Sequence, residues 1–209
     1  MSERTGKLIS IEGGEGAGKT TVLNAIQKYL EAQDAVVVCT REPGGTQIGE
    51  QVRAILLDPN NQIASNTELL LMFASRAQLV EEFVKPELSK GHYVVSDRFT
   101  DASFAYQGGG RGIDAENIAE LECRFVGIKP DLTLLLDLGV VQGLARAQSR
   151  GLAFDRIELE KNDFFFCLRE TYLNRAAAEP NRIKIVDASK TAEQVVMEVE
   201  SILEQWLKV

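Results

Sequence analysis

The 209-residue chain has one histidine, His92, and one tryptophan, Trp206. A serine-histidine-aspartate relay would have to run through His92. No Gly-x-Ser-x-Gly elbow accompanies it, and His92 lies between Gly91 and an apolar run, as a turn residue would. The three cysteines, Cys39, Cys123 and Cys167, are far apart and form no Cys-x-x-Cys pair. Neither a disulfide framework nor a zinc ribbon fits that pattern. Reduced thiols in apolar surroundings are expected, as in a cytoplasmic protein. No apolar run reaches membrane-spanning length, and Met1-Ser2-Glu3-Arg4-Thr5 lacks the apolar stretch of a signal peptide. Net positive charge is missing too. A formal charge of −8 argues against coating polymeric nucleic acid. It still allows one cationic cleft on an acidic body.

What is present begins with Gly13-Gly14-Glu15-Gly16-Ala17-Gly18-Lys19-Thr20, a full match to the phosphate-binding pattern G-x-x-x-x-G-K-[ST]. The apolar run Lys7–Glu12 before it reads as a strand, and Thr21 to Ile26 after it opens a helix. Glycines let backbone N–H groups turn inward around phosphate oxygens, and the helix N-terminus adds positive charge. Lys19 can reach the β/γ-phosphates, and the Thr20 hydroxyl can ligate magnesium.

Further strands are expected at Val36–Thr40, Tyr93–Ser96, Leu132–Asp137 and Ile183–Asp187. Helices are expected over Thr46–Leu57, Asn66–Leu88, Asp114–Val126, Val140–Ser149, Glu158–Ala178 and Thr191–Leu207. Continuous apolar strands alternating with helices define an α/β fold: a doubly wound, five-stranded parallel sheet with helices on both faces. No linker or repeat interrupts it, so residues 1–209 read as a single domain. Phosphate chemistry belongs at the carboxyl ends of the strands.

Two further loops at those ends carry Arg41-Glu42-Pro43-Gly44-Gly45 and Asp97-Arg98. Arg41 and Arg98 can clamp a phosphate, and Asp97 can hold magnesium directly or through water. Phe73 and Arg76 share a helix face, where Phe73 either stacks on a base or packs into the core. Ser103 and Gln107 can present hydrogen-bonding groups to one ligand, and Tyr106 can pack against a sugar. The glycines at 108–110 suggest a mobile turn or a helix stop. Arg146 and Arg150 share a helix face in a segment of about 146–158 that suits a lid, or else a solvated helix. Phe164-Phe165-Phe166 is more than one helix face needs, so part of it fills the core or forms an interface.

Together these motifs closely resemble bacterial thymidylate kinases, members of the P-loop nucleoside monophosphate kinases. The matching stretches are Glu12–Thr21, Thr40–Thr46, Phe73-Ala74-Ser75-Arg76, Asp97-Arg98, Ala105–Gly112, Pro130–Thr133 and Asp155–Glu158, in family order. The resemblance implies transfer of the γ-phosphoryl group of ATP to dTMP, with Mg2+, by a homodimer. It places the ATP phosphates on Gly13, Gly14, Glu15, Gly16, Ala17, Gly18, Lys19, Thr20 and Thr21. It places the dTMP phosphate near Arg41, Arg53 and Arg98, with Glu42 in the same acceptor site. Thymine would stack on Phe73, its polar edge read by Arg76, Ser103 and Gln107. Tyr106 would lie against the deoxyribose, and Glu15 near its 3′-hydroxyl. The glycine loop carries no arginine, so the family's catalytic arginine points to Arg150 in the lid, supported by Arg146 at the donor. A nucleoside monophosphate kinase with another acceptor is the nearest rival. A regulatory GTPase is disfavoured because the Asn-Lys-x-Asp guanine-reading signature is absent.

Overall fold

The computed structural model describes residues 6–149, 151 and 155–208. Strand β1 (Lys7–Glu12) leads through the glycine loop into α1 (Lys19–Glu31). β2 (Val37–Arg41), α2 (Gln47–Leu57) and α3 (Ser65–Leu79) follow. α3 continues through a π-helical stretch, Val80–Val84, into α4 (Lys85–Ser89). β3 (Tyr93–Asp97) precedes α5 (Thr100–Ser103), which runs into a second π-helical stretch, Phe104–Gly110. α6 (Ala115–Leu121) likewise continues through Glu122–Val126. β4 (Leu132–Asp137), α7 (Val140–Gln148), α8 (Asn162–Ala178), β5 (Ile183–Asp187) and α9 (Ala192–Leu207) complete the order.

The five strands form one parallel sheet in the order β2-β3-β1-β4-β5. Alternate residues of the central strands go to opposite faces, as the pleat requires. Ile9, Ile11, Val95 and Leu134 pack with Val22, Ile26 and Leu30 of α1 and Val195, Val199 and Leu203 of α9. Leu8 and Val94 pack on the other face with Leu69, Phe73 and Leu79 of α3 and with Phe99, Phe104 and Ile118. Leu135 joins Phe165, Leu168 and Tyr172 of α8. Covering both faces is why these strands read as unbroken apolar runs. β1 therefore lies mid-sheet, with its carboxyl end opening into the glycine loop. Among the described residues, no helix is long and apolar enough to cross a membrane.

Some expectations need correction. β2 is shifted one residue on and includes Arg41, whose backbone pairs in register with Asp97. α8 starts at Asn162, not Glu158, because the chain turns over 156–159. The glycines after Gln107 do not make a mobile turn. A Cβ on Gly109 would collide with Thr171, and one on Gly110 with the Phe164 ring. Those glycines let the π-helical stretch lie against α8. Cys123 and Cys167 are exposed rather than set in apolar surroundings, and Cys39 is half-buried; all are free thiols. Phe164 and Phe165 are buried, whereas Phe166 stays half exposed.

Glu12 ends β1 fully buried. It accepts from the Phe99 backbone N–H and the Tyr172 hydroxyl, each at 2.7 Å. Burial, with the nearby Asp101 charge, pushes its carboxyl up to about 8. The folded protein thus holds a proton that the unfolded chain releases near its ordinary carboxylate range. This group's contribution to stability is full below that range and is lost as pH rises to about 8. Glu12→Gln should remove the slope. Urea unfolding at pH 5 and pH 8.5 should show the variant gaining on wild type by on the order of 3 kcal/mol at the higher pH. Parallel pH profiles would contradict a protonated Glu12.

Candidate active site

The glycine loop is shaped by what packs behind it. Gly13 has φ +142°, and a Cβ there would lie 2.6 Å from the Leu136 carbonyl oxygen. Gly16 has φ +70°, and a Cβ there would run into the Gly143 carbonyl. β4 and α7 therefore leave room only for backbone. Gly18 caps α1 without a side chain, so no capping side chain competes with an anion at the helix N-terminus. Lys19 Nζ turns back on the carbonyls of Gly13 (3.3 Å) and Gly14 (3.0 Å). Burial, then the Arg98 charge, pushes its ammonium group below the usual range.

That loop forms one wall of a cleft of about 410 Å³, the other walls coming from the β2–α2 loop, α3, the end of β3 and residues 155–158. Arg41, Arg53, Arg98 and Arg146 all border it, with Lys19 and Thr20. Arg41 is exposed, and its Nη2 donates to both Glu50 oxygens at 3.0 Å. Arg53 Nη1 donates to the Pro43 carbonyl at 2.9 Å. Arg98 has φ +73°. Its Nη2 donates to Glu15 Oε1 at 2.7 Å and its Nη1 to the Gly13 carbonyl at 3.2 Å. The Tyr106 hydroxyl donates to the same Glu15 oxygen at 2.9 Å, and the Arg98 guanidinium lies 4.7 Å from the Tyr106 ring centre. Burial, against the pull of Arg98 and with the help of Glu15, keeps the Tyr106 phenol well above its ordinary range. It is therefore a donor.

Asp97 Oδ1 is buried and has no hydrogen-bond partner among the described residues. The carboxylate borders the cleft, as does exposed Thr20. Among the described residues, no cluster of three or more His, Cys, Asp or Glu side chains could cage a metal. One hydroxyl and one unpartnered carboxylate oxygen beside a phosphate cradle fit Mg2+. That ion takes few protein ligands and completes its shell from phosphates and water.

The residues expected to read a base are placed differently from one another. Gln107 and Tyr106 border the cleft. Arg76 is fully buried behind it: Nε donates to Glu42 Oε2 at 2.7 Å, Nη1 to Ser103 at 3.0 Å and Nη2 to the Phe99 carbonyl at 3.1 Å. Ser103 is fully buried there too. Phe73 is 3% exposed in the core, with the Arg76 guanidinium 4.7 Å from its ring centre. The apolar side chain that α3 gives the cleft is Met72. The helical repeat explains this. Glu68, Met72 and Arg76 are spaced by four along one face of α3, while Phe73 is rotated toward the sheet.

Arg146 Nη1 donates to the Ala188 carbonyl at 2.9 Å. It lies between the main cleft and a second cavity of about 250 Å³ bordered by Thr21, Ala188, Lys190 and Thr191. Arg150 lies outside the described residues. Met72, Glu68 and the Ala188–Thr191 turn do not stand out as site residues in the sequence, whereas Arg156 belongs to the Asp155–Glu158 stretch. A lone acid in the run Glu68-Leu69-Leu70-Leu71-Met72-Phe73 is the signal that marks Glu68.

The sheet order, the glycine loop and the cationic cleft define a P-loop NTPase fold built to hold phosphates. A family model described as thymidylate kinase matches residues 11–199. The chain is 50% identical over 201 residues to a thymidylate kinase of Ruthia magnifica, covering 95% of this chain and 98% of the relative. It is 52% identical over 194 residues to one of Hahella chejuensis, covering 92% and 93%. A crystal structure of thymidylate kinase from Ehrlichia chaffeensis superposes with a TM-score of 0.79 at 30% identity, covering 96% of this chain and 99% of that one. The chain belongs to the thymidylate kinase family.

Proposed function

We propose that this protein transfers the γ-phosphoryl group of ATP to dTMP, giving dTDP and ADP. One observation carries the reading: a single cleft has a glycine-loop phosphate cradle on one wall and Arg41, Arg53 and Arg98 on the others, with Glu15 and Tyr106 between them. Gly13 to Thr21 hold the donor phosphates, and Arg146 lies beside the donor nucleoside in the second cavity. Arg41, Arg53 and Arg98 hold the acceptor phosphate. Glu15 and Tyr106 meet the deoxyribose, and Gln107 meets thymine, backed by the buried Arg76–Ser103 pair that Glu42 braces.

The acceptor oxygen is already anionic at neutral pH, so no strong general base is needed. The protein's task is to align two phosphates and offset their repulsion. Lys19 neutralises charge on the migrating group, and Arg98 orients the attacking oxygen. Thr20 and Asp97 would hold Mg2+, which when bound supplies charge screening on the phosphates. Residues of about 146–158 act as the lid, and Arg150 supplies its catalytic charge.

The placement of Phe73 separates two readings of α3. Phe73→Ala should cost about 3–4 kcal/mol in urea unfolding through the cavity it leaves. Met72→Ala should instead raise the KM for dTMP at little cost in stability. A large KM effect confined to Phe73→Ala would favour stacking on that ring.

A homodimer through neighbouring α2 and α3 fits the surface, where Ile48, Ile55 and Leu70 are exposed (52%, 47% and 58%). Sedimentation equilibrium should find a dimer, and Leu70→Glu a monomer; a monomeric wild type would contradict this. A single domain working in the cytoplasm accords with the unbroken sheet and the free thiols. The substrate reading is tested with purified protein, Mg2+ and ATP against dTMP, dUMP, dCMP, AMP and GMP. dTMP should give the highest kcat/KM; a purine or dCMP in first place would overturn it.

A further inference from the structure

Glu68 is a charged side chain in an apolar stretch of α3, only 1% exposed. A carboxylate there is costly unless its lone pairs are met. Oε1 accepts from Gln107 Nε2 at 2.9 Å and from Arg111 Nε at 3.2 Å. Oε2 accepts from Arg111 Nη2 at 3.0 Å and from Arg156 Nη2 at 2.6 Å. Burial acts to raise its carboxyl, but hydrogen bonds from Arg111, Gln107 and Arg156 outweigh it and hold the group below the usual range. Glu68 is therefore ionised and can only accept.

An ionised carboxylate can face only the NH2 end of an amide. Gln107 is thereby turned one way round. Its Oε1 is buried without a hydrogen-bond partner among the described residues, in a side chain that borders the cleft. A bare acceptor suits a pyrimidine whose N3 carries a hydrogen, as in thymine and uracil. It opposes cytosine, whose N3 is itself an acceptor. The same carboxylate holds Arg156, whose Nε donates to the Leu56 carbonyl at 2.7 Å and whose backbone N–H donates to that of Leu57 at 3.0 Å.

We propose that Glu68 is a positioning residue: it fixes the amide orientation of Gln107, giving the cleft its preference for pyrimidines bearing N3–H, and it anchors Arg156 beside the base. This rests on the acceptor site described above. In Glu68→Gln the new amide can donate as well as accept, which frees Gln107 to turn over. Glu68→Asp keeps the charge for both arginines but draws it back from Gln107, and it serves in place of the first variant should that one not fold.

The experiment measures kcat and KM for dTMP and dCMP, or inhibition constants where dCMP turns over too slowly. In either folded variant the dTMP-to-dCMP preference should fall by about tenfold, chiefly through the KM for dTMP. A side chain that merely held the fold would weaken both acceptors alike. An unchanged preference in a folded variant overturns the inference while leaving the kinase reading intact. A wild-type protein that leaves dTMP unphosphorylated overturns both.

Discussion

Arg98→Ala should lower kcat for dTMP phosphorylation by on the order of 10³-fold while the protein stays folded. Arg98 stands where β3 runs out, on a backbone of φ +73°. Its Nη2 pairs with Glu15 and its Nη1 with the Gly13 carbonyl, so it ties the end of β3 to the phosphate loop. Alanine removes the charge proposed to orient the acceptor phosphate. It also takes from the Glu15 carboxylate the cation that pairs with its Oε1 alongside the Tyr106 hydroxyl. Two like charges would then meet where the chemistry needs them offset. The KM for dTMP should rise as well, because part of that interaction already exists in the ground state. Arg98→Lys keeps charge but not the forked geometry and should fall between. Steady-state kinetics with a folded variant checks this, and turnover within threefold of wild type would remove Arg98 from the mechanism.

Arg76→Met should cost about 3–5 kcal/mol of stability, measured without ligand. Arg76 and its partner Glu42 have side chains 0% and 1% exposed. Burial already lifts the Glu42 carboxyl, and Arg76 is what draws it back. One Glu42 oxygen, Oε1, has no hydrogen-bond partner among the described residues. Deleting the guanidinium leaves a buried carboxylate that must take up a proton or open the loop. It also frees Ser103 and the Phe99 carbonyl from the donors that hold them. A chain of this size should lose about 10 °C in melting temperature. Adding Glu42→Gln to Arg76→Met should recover part of the loss, because the stranded charge is then gone. A single variant that unfolds within 1 °C of wild type would contradict the buried pair.

The parts of the fold legible in sequence are those where one constraint dominates. Lys7–Glu12, Leu132–Asp137 and Ile183–Asp187 are found with their bounds because apolar runs end at clear polar stops. β2 is off by a residue because Arg41 is a strand residue by backbone pairing and a cleft residue by side chain. Gly109 and Gly110 mislead because glycine serves close packing as readily as a turn, and only the position of α8 distinguishes them.

The phosphate end of the site is legible for a similar reason. Lys19, Thr20, Arg41, Asp97 and Arg98 follow from strand ends, and the fold brings them to one cleft. The base end depends on a rotation of α3. Spacing of three joins Phe73 to Arg76, whereas the spacing of four that joins Met72 to Arg76 sets which side chain borders the cleft. Glu68 and Arg156 are 88 positions apart in sequence and meet only through the tertiary fold.

The proposed reaction is direct transfer between two phosphates held together in one cleft. The most direct test is a single turnover with γ-labelled ATP, Mg2+, dTMP and enzyme in excess of ATP. Label should leave ATP and enter dTDP at the same rate, with negligible free phosphate. Label released mainly as inorganic phosphate, or retained on the protein with no dTDP formed, would contradict it.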